Sequence, residues 1–120
     1  MNNSESQKLE AIKARLLEGM TDYIADGDGG GYDKNDIQKC DDILRGFMKR
    51  LDRLDDSARE TTILHCVKKA VLDLNALNDS VGGSLIETDQ REDLCEYLLL
   101  AAQSAGLKRN DDITEEWREW

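Results

Sequence analysis

Apolar residues recur along this chain at steps of three and four, in four separate runs. That spacing puts them on one face of an α-helix. In the first run Leu9, Ile12, Leu16, Met20 and Tyr23 align over residues 5–24, and Ser4 with Gln7 has the form of a capping box. The second run, over 34–54, carries Ile37, Cys40, Ile43, Leu44, Phe47, Met48, Leu51 and Leu54, with Asp33 placed as its N-cap. Gly46 lies inside it at a cost of about 1 kcal/mol relative to Ala. The third run, over 58–79, carries Ile63, Leu64, Val67, Ala70, Val71, Leu74 and Leu77, and Ser57 with Glu60 forms a second capping box. The fourth, over 89–105, carries Leu94, Cys95, Leu98, Ala101, Ala102 and Ala105, with Thr88 as cap and Gly106 as the stop. A short helical turn over 115–119 is expected beyond it, with Glu115 and Glu116 ahead of Trp117.

These runs predict an all-α fold in a single domain. The expected arrangement is a four-helix up-and-down bundle with a short C-terminal helical extension. The turn near 55–57 is tight, so the second and third helices should be antiparallel neighbours. The composition agrees: Leu is the commonest apolar residue, Pro is absent, and no segment alternates over strand length. Leu, Ile, Val and Phe together make up a little over a fifth of the 120 residues, enough to support one core.

Charge narrows the classes of partner. The formal net charge is −10 and charged residues make up 35% of the chain. Such a chain repels nucleic-acid phosphates and attracts basic proteins. The longest uninterrupted apolar run, 98–102, is far too short to span a bilayer, and the first residues do not read as a secretory signal. Cys40, Cys66 and Cys95 are odd in number and widely spaced, which predicts reduced thiols and a cytoplasmic location.

Candidate chemistry is sparse. The segment 26–36 opens as Asp26-x-Asp28 with Gly31 at the sixth place, and this resembles an EF-hand calcium loop. The pattern then departs from that motif. Gly30 offers no side-chain oxygen at the fifth place, Lys34 is a cation at the ninth, and Ile37 stands where the bidentate Glu belongs. Asp26, Asp28 and Asp33 are therefore weak metal candidates, and tight calcium binding is not expected. His65 shares a helical face with Thr61, Thr62, Lys68 and Lys69 and reads as solvent-exposed. No Cys-x-x-Cys, Gly-x-Ser-x-Gly, phosphate loop or Glu-x-x-His occurs, so no catalytic residue and no cofactor is assigned.

Two features point to binding. Trp117 and Trp120 are three residues apart in an acidic tail, so the rings either dock on the bundle or serve a partner. Leu99 and Leu100 widen the apolar arc of the fourth helix, and a homodimer would cover that arc. The sequence thus favours a non-enzymatic acidic helical module that binds a basic protein, as an inhibitor, immunity or adaptor protein does. A cation-binding bundle using the loop 26–36, and a small enzyme whose carboxylates converge only in the fold, are the alternatives.

Overall fold

In the computed structural model the described residues are 3–25, 31–55, 57 and 59–120. They form four helices, α1 (Asn3–Ala25), α2 (Lys34–Asp52), α3 (Glu60–Ser80) and α4 (Thr88–Ser104), with no strand among them. Each helix neighbours the next in the chain, and α4 closes back on α1. The α1–α4 and α2–α3 pairs make the most extensive contacts. On α1, Arg15 faces Asp93 and Glu96 of α4, whereas Gly19 faces Gln90. Ascending α1 thus means descending α4, which fixes the pair as antiparallel.

The helical stripes converge on one core. Leu16, Met20, Leu44, Phe47, Ile63, Val67, Val71, Leu74, Leu94 and Leu98 are each buried almost completely. Within it lies a charged contact between α1 and α2. Asp41 is 7% exposed. Its Oδ2 accepts from Arg45 Nε at 3.0 Å, and its Oδ1 meets Lys13 Nζ at 3.0 Å as an ion pair off hydrogen-bond geometry. A buried carboxylate needs such neighbours to offset its desolvation.

Several ends differ from the sequence expectation. Ser4 lies inside α1, which already runs from Asn3, so no Ser4 cap opens it. Asp33 does cap α2, accepting from the amides of Asn35 and Asp36 at 2.9 and 3.2 Å, and the Asp36 side chain reciprocates. The Ser57–Glu60 capping box is absent. Ser57 instead directs its amide and hydroxyl to Asp55, and α3 starts after Arg59 without a side-chain cap. Thr88 is the first residue of α4 rather than its cap. Glu87 takes that place, and Gln90 Oε1 accepts its amide at 3.1 Å. Tyr23 sits at the edge of the α1 stripe and is 41% exposed, so it is not a core residue.

The C-terminal segment forms one turn over 113–117 rather than a longer helix, and in it the Thr114 carbonyl accepts from the amides of Trp117 and Arg118 at 3.1 and 2.9 Å. α4 ends where Gly106 takes φ +117° and the Leu107 amide reaches back to the Ala102 carbonyl at 3.0 Å. This left-handed stop suits a residue without Cβ and turns the chain away from the helix axis. Residues 107–120 then return along the bundle between α3 and α4. They touch Asn75 on one helix and Cys95 on the other. The tail explains why α3 and α4 pack against each other least among neighbouring helices. Leu107, Ile113 and Thr114 of the tail are buried.

Candidate acidic interaction site

An open groove of about 660 Å³ runs between the second half of α1 and the first half of α4. Arg15, Gly19, Asp22 and Tyr23 line one wall. Glu87, Asp89, Gln90, Glu92, Asp93 and Glu96 line the other. The sequence places this charge by a local rule. Acidic residues gather in the first turns of α4, where they oppose the positive end of the helix dipole. Gly19 faces the Gln90 amide, 3.4 Å from where a Cβ would stand, which brings the helices close at that point.

Cation and carboxylates are unequal in number here. Arg15 Nε donates to Asp93 Oδ1 at 2.8 Å, and Nη2 reaches Glu96 Oε2 at 3.2 Å. The hydrogen bond to Asp93 is the main reason the Arg15 pKa is raised. Asp22, Glu87, Asp89 and Glu92 lie beyond it on the same walls. Tyr23 closes the rim, its ring stacked on Tyr32 at 5.6 Å between centroids and 9° between planes. Tyr32 is buried, and its hydroxyl donates to the Met20 carbonyl at 3.2 Å. Burial above all, then Tyr23 and Glu87, pushes the Tyr32 pKa up to about 12. Tyr32 therefore stays neutral at ordinary pH, and the exposed Tyr23 ring presents an aromatic surface beside the carboxylates.

The residues singled out from sequence fall elsewhere. Asp26 and Asp28 lie outside the described residues, and Asp33 spends its carboxylate on the α2 cap. Among the described residues no group of three or more His, Cys, Asp or Glu is placed to hold a metal ion. Cys40 and Cys66 are buried, Cys95 is half-buried, and all three thiols are free. Burial, and secondarily Asp41, pushes the Cys40 thiol up to about 12. His65 is exposed. Leu99 and Leu100 are half-buried and packed against the bundle's own core, as are Trp117 and Trp120.

Sequence reasoning missed two asparagines of α3. Asn78 is 7% exposed, and its Oδ1 accepts from the amides of Leu85 and Ile86 at 3.1 and 3.0 Å. Asn75 is 3% exposed, donates to the Trp117 carbonyl at 2.8 Å and accepts from the Glu119 amide at 3.1 Å. Each carboxamide fixes a passing strand of main chain. A signal existed: both lie beside the apolar stripe of α3, where a polar side chain must find a buried partner. No known protein family, curated protein or solved structure matches the chain.

Proposed function

We propose that this chain is a non-catalytic acidic helical module that binds a basic protein partner, with the α1–α4 groove as its contact. The observation that carries this reading is the groove's charge: six carboxylates and one cation among its lining residues. An open groove of this kind offers long-range attraction and many exchangeable contacts, which suits recognition of a cationic surface. The rim face of Tyr23 adds a ring on which a guanidinium can stack. The formal net charge of −10 extends the same attraction over the whole molecule. An inhibitor, immunity or adaptor protein that neutralises a basic target would use such a surface. The three free thiols fit a reducing compartment such as the cytoplasm. No helix among the described residues is long and apolar enough to cross a membrane.

Affinity capture from the native cell tests the reading, with the full chain and its Asp89→Asn/Glu92→Gln variant run side by side. The expected result is a basic protein that the wild type retains and the variant loses. A partner held equally by both would exclude the groove as the contact.

A further inference from the structure

The tail is attached in two unlike stages. Residues 107–114 are anchored at their two ends, where Leu107 and Ile113 are 4% exposed and Thr114 is fully enclosed, with exposed residues 108–112 between them. Residues 115–120 are held differently. Glu115, Glu116 and Glu119 are exposed, and Trp117, Arg118 and Trp120 are only half-buried. Among the described residues, the hydrogen bonds tying this last turn to a helix both run to Asn75. Its other polar contacts stay inside the tail. Arg118 reaches Asp112 at 2.9 Å, Thr114 at 3.2 Å and the Trp120 main-chain oxygen at 2.7 Å, and its guanidinium lies 5.6 Å from the Trp120 ring centroid. Trp120 Nε1 is buried with no acceptor, a donor that would regain a hydrogen bond to water on leaving.

We propose that residues 115–120 form a releasable latch with Asn75 as its catch. Release frees Trp117 and Trp120 on an acidic strand, while the anchored segment 107–114 and the four helices stay in place. The physical basis is graded local stability. A segment tied by few bonds opens at lower free energy than the core. The Arg118 contact to the Trp120 main-chain oxygen leaves with the turn, while those to Asp112 and Thr114 of the anchored segment break on release. Asn75 is the catch on the helix side, and Asp112 with Thr114 is the catch within the tail. This inference is independent of the α1–α4 groove, because the latch lies on the opposite flank of α4.

Amide hydrogen exchange on the full chain, resolved by residue, tests it. The reporter is the Glu119 amide, whose partner is Asn75 Oδ1. In the wild type it should exchange at least about a hundredfold faster than the Leu98 amide in the core of α4. Because Asn75→Ala also removes the acceptor of the Glu119 amide, opening in that variant is read from acrylamide quenching of Trp117 and Trp120, which should rise by several-fold while Leu98 exchange is unchanged. Glu119 and Leu98 exchanging at one common rate in the wild type would overturn the proposal, whatever the variant does. So would an Asn75→Ala chain whose tryptophan quenching does not rise, or whose Leu98 amide speeds up as well.

Discussion

The two flanks of α4 solve the same problem in opposite ways. Toward α3 a gap is filled by the chain's own tail, through buried side chains and neutral carboxamide bonds at Asn75. Toward α1 the helix is bridged by exposed ion pairs from Arg15, and the groove beside them is left open to solvent. Neutral buried hydrogen bonds and apolar contacts stabilise a fold. Exposed ion pairs contribute little, because water and salt screen them. Beneath the groove α1 and α4 still share extensive contact, so the contrast lies at the surface: the tail flank is closed by buried groups, and the groove flank carries exposed charge on which stability depends little. A binding surface can be rich in charge because stability does not depend on it.

The largest effects should come from the closed flank. Ile113→Ala is expected to lower unfolding free energy by about 2–4 kcal/mol, as a buried branched side chain is cut back. Denaturant unfolding measures this, and a loss near zero would mean that the tail is not part of the core. Asn78→Ala should follow at about 1–3 kcal/mol, because the buried amides of Leu85 and Ile86 lose their acceptor.

A pH dependence should also separate the flanks. Burial opposes the charge of Asp112, but the Thr114 hydroxyl and amide and the Arg118 guanidinium outweigh it and hold its pKa below the ordinary Asp value. A carboxyl depressed in the folded state stabilises above its unfolded pKa, near ~3.9, and that contribution is lost as pH falls through the lower folded value. Tail attachment, followed by tryptophan fluorescence, should therefore weaken on acidification below about pH 4. Asp112→Asn should remove this part of the transition. An unaltered acid profile would show that the Arg118 knot does not hold the tail. The smallest effect belongs to the open flank: Arg15→Ala should leave the thermal midpoint unmoved within experimental error. A clear loss of stability there would break the contrast between the flanks.

The helices were legible because their signal is periodic and repeated. Leu9, Ile12, Leu16 and Met20, or Ile63, Val67, Ala70 and Leu74, allow one buried face and no other. Helix starts were less legible, since capping depends on single residues with near competitors. Ser57 found Asp55 before it could serve α3, and Glu87 with Gln90 displaced Thr88. The tail's course was hidden for a different reason. Trp117 and Trp120 suggest a helical face only if the segment is helical. Asp112, Thr114 and Arg118 instead knot it into a turn, and its docking site, Asn75, is about forty residues away in the chain. The groove was hidden in the same way. Asp22 and Arg15 meet Asp89 and Asp93 only because α1 and α4 are antiparallel neighbours, which no local pattern encodes.

The most direct test of the division between flanks is a titration of the full chain with an arginine-rich peptide, followed through backbone amide resonances at near-physiological salt. Shifts should concentrate at Tyr23, Glu87, Asp89, Glu92 and Glu96 and fade as salt is raised, with Asn75, Trp117 and Glu119 unmoved. Shifts centred on the tail flank, or spread evenly over every acidic residue, would contradict it.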